Sequence, residues 1–145
     1  MFLYGLRTIT FACAGLGILM ALGCQPSGPE LATVTGKITL DGKPMYGVVV
    51  TFTAEGGSAS YGVTDTQGVY TLMFTDTKAG AMVGTNQVTL ESPRVSPSEL
   101  EELKAQGQEI PAEVAPVPRK YSATGALTAE VESGKNTIDF ELTSK

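Results

Sequence analysis

From Ala32 onward, apolar and polar residues alternate with a period of two, the mark of half-buried strands. Val34, Gly36, Ile38 and Leu40 share one face against Thr35, Lys37 and Thr39. The turn signal Asp41-Gly42-Lys43-Pro44 follows. A second strand runs from Tyr46 to Ala54 with Val48, Val50 and Phe52 on one face, and Ser60 to Thr64 forms a shorter third. In the turn Asp65-Thr66-Gln67-Gly68, Asp65 is placed to accept from backbone amides ahead of it. Val69 to Thr75 puts Tyr70, Leu72 and Phe74 on one face, and Thr85 to Ser92 puts Val88 and Leu90 inward. Two last strands carry Leu127, Ala129, Val131 and then Ile138, Phe140, Leu142. Seven short strands with turn signals between most of them predict an all-β, antiparallel sandwich.

One stretch breaks this rhythm. Pro93 to Arg119 holds five of the eight prolines. Ser96-Pro97-Ser98-Glu99 reads as a helix start, with Ser96 as cap, Pro97 at the first helical position and Glu99 completing a capping box. Leu100 and Leu103 make a weak apolar stripe and Gly107 ends it. One short helix is therefore predicted in a long loop before the last two strands. The remainder is extended, and its length suits either a binding lid or a crossover closing one end of the sandwich, the latter being preferred.

The chain before Ala32 is different in kind. Arg7 is its one basic residue, an apolar run spans Ile9 to Gly23, and the small residues Ala21 and Gly23 precede Cys24. A short basic segment, an apolar segment and a small-residue exit describe a secretory signal peptide. The run is shorter than the roughly 20 residues of a spanning helix. Ala21-Leu22-Gly23-Cys24 resembles the lipobox of bacterial lipoproteins, with the Leu and the small residue in swapped order. The resemblance implies a diacylglyceryl thioether on Cys24, cleavage before it and acylation of the new amine. An uncleaved anchor and secretion without lipid are the other readings of these residues. Residues 1–23 are thus expected to be signal and 24–31 a Pro- and Gly-bearing tether to a domain at 32–145. Gln25 after the cysteine suggests, by the same resemblance, the outer membrane of a cell envelope. Several acyl chains, at about 0.8 kcal/mol per methylene, hold a protein on a membrane durably.

Composition narrows the chemistry. The 145 residues include no histidine, no tryptophan and two cysteines, and Cys13 falls within the signal. A Ser-His-Asp arrangement, a Cys-His pair, a His-bearing zinc site and a disulfide framework are excluded. The net charge is −5, and it becomes −6 once Arg7 is removed with the signal. That balance argues against a nucleic-acid partner. Asp41, Asp65, Asp76 and Asp139 are spaced too widely for a calcium loop, and Asp41 and Asp65 read as turn formers. Glu99, Glu101, Glu102 and Glu109 read as a solvated helix face rather than as a glycosidase pair. Arg119-Lys120 is too small a basic spot for nucleic acid or anionic lipid. Tyr70 fits the core, leaving Tyr46, Tyr61 and Tyr121 as the candidates for exposed aromatics. No catalytic residue, cofactor or metal site is expected.

Val34-Thr35-Gly36-Lys37-Ile38-Thr39-Leu40-Asp41-Gly42-Lys43-Pro44, followed by Gly47-Val48-Val49-Val50-Thr51-Phe52, resembles the opening of carboxypeptidase regulatory-like domains. Gly62-Val63-Thr64-Asp65-Thr66-Gln67-Gly68-Val69-Tyr70-Thr71-Leu72 resembles their next hairpin. The stretch from Ile110-Pro111 through Lys120-Tyr121 to Gly134-Lys135-Asn136 resembles small bacterial lipoproteins built on that domain. Val48 stands where alanine is common, and Gly84-Thr85-Asn86-Gln87 where a Pro-Gly-x-Tyr run is usual, which leaves the register of the fifth strand open. The resemblance implies a transthyretin-like, seven-stranded sandwich without enzymatic activity. Two function classes follow: a lipid-anchored envelope protein with a structural or protein-docking role, or a module that binds glycan or peptide.

Overall fold

The computed structural model describes residues 28–93, 96–110 and 114–145. The expected signal at 1–23, Cys24 and the first half of the expected tether lie outside them. The fold is an all-β sandwich, as the alternation predicts. One sheet is built around β1 (Leu31–Leu40). On one side β1 meets β8 (Ala81–Met82), β5 (Val69–Thr71) and β2 (Lys43–Pro44), all antiparallel. On the other it meets β11 (Lys135–Thr137) and β12 (Phe140–Leu142), both parallel. The facing sheet is antiparallel. Its order is β10 (Leu127–Val131), β9 (Gly84–Glu91), β3 (Val49–Ala54), β4 (Ala59–Val63), β6 (Met73–Thr75) and β7 (Lys78–Ala79).

Among the described residues twelve strands are thus found where seven were expected, because single runs are split and short pairings appear between them. Val69 to Thr75 is divided at Leu72. Its first half pairs with β1 and its second with β4, so the chain crosses from one sheet to the other. Leu72 N–H donates to Val34 O at 2.9 Å, and Gly80 N–H donates to Leu72 O at 2.8 Å. Leu72 is buried, whereas Phe74, expected on the same inward face, is only half-buried. The last strand is divided at Ile138 and Asp139.

The core lies between the sheets. Ala32, Val34 and Ile38 of β1 meet Val50 and Phe52 of β3 and Val88 and Leu90 of β9, all buried. The Phe52 ring stands edge-on to Phe140, with centroids 6.3 Å apart, and tilted against Tyr70 at 6.5 Å. Buried polar side chains are paired. Asn86 Nδ2 donates to Met82 O and Gly84 O, each at 2.9 Å, and Thr64 Oγ1 accepts from Val48 N–H at 2.9 Å.

Gly36 interrupts the inward row of β1, and the reason is a close approach. A Cβ there would sit 1.8 Å from Ile138 O and 2.9 Å from the Tyr70 ring. The carbonyl of Ile138 turns in over Gly36 and accepts from Tyr70 Oη at 2.6 Å. Asp139 Oδ1 then takes the Lys37 N–H at 2.7 Å, where a strand carbonyl would otherwise serve. The break in the last strand is thus a hydrogen-bonded exchange of partners, in the manner of a bulge. Burial first, and the Asp139 charge second, push the Tyr70 phenol well above its ordinary value of 10.0.

The turn at Asp41-Gly42 has φ of 48° and 80°, and Leu40 pairs with Lys43. That is a two-residue hairpin of the mirror-image type, which needs positive φ at both positions. Asp65 Oδ1 accepts from Gln67 N–H at 2.8 Å and Val69 N–H at 2.9 Å, the forward bonding its position predicts. The predicted helix is α1 (Pro97–Ala105), with Ser96 Oγ accepting from Glu99 N–H at 3.2 Å. None of its residues is buried. A second helix, α2 (Arg119–Ser122), was not expected from the sequence.

Candidate functional site

The candidate residues scatter. Among the described residues, no three His, Cys, Asp or Glu side chains gather as a metal site. Asp41 and Asp65 hold turns, Asp139 holds β1, and Asp76 is exposed. The acidic side chains of α1 face solvent, with Glu101 paired to Lys104 at 3.2 Å. Tyr70 is buried, as its position in the alternation predicts, while Tyr46 and Tyr121 are half-buried and Tyr61 is exposed. Cys24 lies outside the described residues.

Two surfaces remain, and each is built by the strands beneath it. The first is the hairpin-like corner at which the chain passes from β4, in the facing sheet, to β5, in the sheet of β1. Its Tyr61 (55% exposed), Val63 (59%) and Val69 (41%) are the large exposed apolar side chains among the described residues. β4 places Ser60 and Gly62 inward, so Tyr61 and Val63 face out. Gly62 sits so close to Thr71 that a Cβ would be 2.7 Å from its carbonyl oxygen, so the strand cannot turn over to hide them. Across the sheet Val63 faces Val49, and Tyr61 lies between Thr51 and Met73. The corner is held rigidly. Thr64 N–H donates to Val48 O at 3.0 Å and Asp65 N–H to Val69 O at 2.9 Å. The sequence contains a trace of this patch: small residues at 60, 62 and 64 alternate with large ones at 61 and 63. Period two separates the faces without saying which one is covered.

The second surface is the end of the sandwich at Leu40. With a rise of roughly 3.3 Å per residue, the nine steps from Leu31 to Leu40 carry this end about 30 Å from Leu31. A strap formed by Ala115–Arg119 crosses it. Val117 is buried, and its N–H donates to Ser92 Oγ at 3.0 Å. This agrees with the reading of 93–119 as a crossover closing one end. A cleft of about 360 Å³ lies along Asp41, Lys43, Tyr46 and Ala115, and another of about 570 Å³ along Ser92, Val117, Arg119 and Ser144. Leu40 lines both. Asp41 Oδ1 accepts from Ser144 N–H at 3.2 Å. Hydrogen bonding by Ser144, with Lys120 and Lys43 nearby, holds the Asp41 carboxyl below its ordinary 3.8. Lys120 Nζ donates to Thr143 Oγ1 at 3.0 Å and to Lys145 O, and it stands 4.9 Å from the centre of the Tyr121 ring. Tyr121 Oη accepts from Thr143 N–H at 3.2 Å, and bonds to Thr143 lower its phenol from the usual value. No family model, no curated protein and no solved structure matches this chain.

Proposed function

We propose that this chain is a non-enzymatic protein of the bacterial cell envelope, held to a membrane by lipid on Cys24, that docks a partner protein through the β4–β5 corner. The observation that carries the docking role is the exposure of Tyr61 and Val63 side by side on the outer face of β4, with Val69 exposed past the turn. Exposed apolar side chains clustered in this way mark interaction sites. Tyr61 stands among threonines and aliphatic residues rather than in a row of aromatics, which favours a protein over a glycan. The Asp41-Gly42 hairpin and the Asp65 turn are in keeping with the carboxypeptidase regulatory-like resemblance. The anchor reading is in keeping with the sequence spacing, since β1 starts seven residues after Cys24 and leaves a short tether between lipid and domain.

The experiment is photocrosslinking from a probe at position 61 in intact envelopes, compared with the same probe in the double variant Thr51→Glu, Val63→Ser, which alters its neighbours on the same face. A discrete adduct that the double variant loses, while its melting temperature stays within a few degrees, supports docking. Equal adducts from both, or none from either, sink it. Fractionation of Cys24→Ala tests the anchor separately: a processed variant that stays on the membrane rules out lipid on Cys24.

A further inference from the structure

We infer that the larger cleft at the Leu40 end binds a carboxylate joined to an apolar body, a site separate from the docking corner. Its lining sets an apolar floor of Val117, which is buried, with Leu40 and Pro118, beside the polar Ser92 and the exposed Arg119 and Ser144. At about 570 Å³ it falls within the size range of small-ligand sites. The Arg119 side chain is exposed, and no carboxylate of a described residue lies within ion-pair distance of it. On a chain of net charge −5, a guanidinium with no ion pair among the described residues thus lines an apolar cleft. Its fork of N–H donors matches the two oxygens of a carboxylate. Ser92 Oγ accepts from Val117 N–H, so its own proton is left to donate.

The charge set selects a monoanion. Lys120 is already engaged by Thr143 and Lys145, so Arg119 is the cation in this lining. The Asp41 carboxylate lies next to the cleft, bound to the N–H of the lining residue Ser144. A dianionic phosphate meets one cation and one nearby carboxylate, a poor balance, whereas a carboxylate is neutralised by Arg119 alone. The apolar floor then takes whatever carbon chain the carboxylate carries.

The test uses the full lipidated chain in lipid nanodiscs and fluorine NMR of 6,6,6-trifluorohexanoate. Line broadening that saturates, and that weakens at least about tenfold in Arg119→Gln and less in Arg119→Lys, is the expected result. Trifluoroacetate, which lacks the chain, is expected to bind at least about tenfold more weakly. Competition by N-acetyl-alanyl-leucine but not by octanoate assigns the carboxylate to a peptide terminus, and the reverse assigns it to a fatty acid. No binding at millimolar acid overturns the proposal, as do equal binding of 6,6,6-trifluorohexanol and an affinity unchanged in Arg119→Gln. Loss of crosslinking at position 61 leaves this site untouched, so the two readings fail independently.

Discussion

The seam at Gly36 and the connection from Ser92 to Ala126 are held together in opposite ways. At the seam, three segments far apart in sequence meet within one hydrogen-bonded knot: Gly36 under Ile138, Ile138 under Tyr70, and Lys37 tied to Asp139. The connection is organised by local rules. α1 has its cap at Ser96, its proline at the first position and no buried residue, and the strap touches the core through the buried Val117 and the half-buried Ala115. Stability concentrates where contacts are long-range and dense, and local signals alone shape segments without tying them to the global fold.

Four substitutions probe this contrast. The largest effect belongs to Gly36→Ala. A methyl 1.8 Å from a buried carbonyl oxygen forces the sheet apart, so a loss of at least about 3 kcal/mol is expected, read as a collapse of the urea midpoint. If Gly36→Ala melts within 1 kcal/mol of the parent, the seam is not the rigid part. Tyr70→Phe comes next, at about 2 kcal/mol, because Ile138 O loses its donor inside the protein. Its signature is also a pH dependence. The folded phenol is raised above 10.0, so its contribution is complete below pH 10 and declines as pH rises beyond it. Tyr70→Phe flattens that alkaline decline, and an unchanged profile contradicts the buried donor.

On the other side of the comparison, Val117→Ala removes buried methyl groups worth about 1.5 kcal/mol. It frees the strap and opens amide exchange around Ser92 and Arg119 while leaving β1 protected. Ser96→Ala is the mildest. Loss of the cap costs about 1 kcal/mol within α1, seen as faster exchange at 99–103, with the global midpoint moving by less than about 0.5 kcal/mol. A global shift as large as that of Tyr70→Phe erases the distinction between the two regions.

The same contrast explains what the amino-acid order reveals. Asp41-Gly42, Asp65, Ser96 and Pro97 act on neighbours within a few residues, and each does in the fold what its spacing predicts. The inward rows of β1, β3 and β9 are equally plain, since both sheets cover one face only. The division at Leu72 is not visible, because leucine continues the alternation and only the competing pull of two sheets splits the run. Nor is the turn of Ile138, whose cause sits about a hundred residues away at Gly36. α2 is a single turn, too short for periodicity to register. At the candidate sites, Tyr61 was recognised as a candidate exposed aromatic. Its company of Val63 and Val69, and the meeting of Arg119 with Leu40 and Ser92, depend on how strands fold back on one another.

One consequence of the parallel pairing of β1 with β11 and β12 concerns force. The chain enters at the start of β1 and leaves past the end of β12, at opposite ends of the sandwich. A pull between these points runs along the strands, so their cross-links are loaded in shear and must yield together rather than unzip singly. Resistance to such a pull is set by the unfolding rate rather than by the equilibrium. If the tether is fixed in a membrane and a partner tugs from beyond, the molecule is a stiff link that gives way late and all at once.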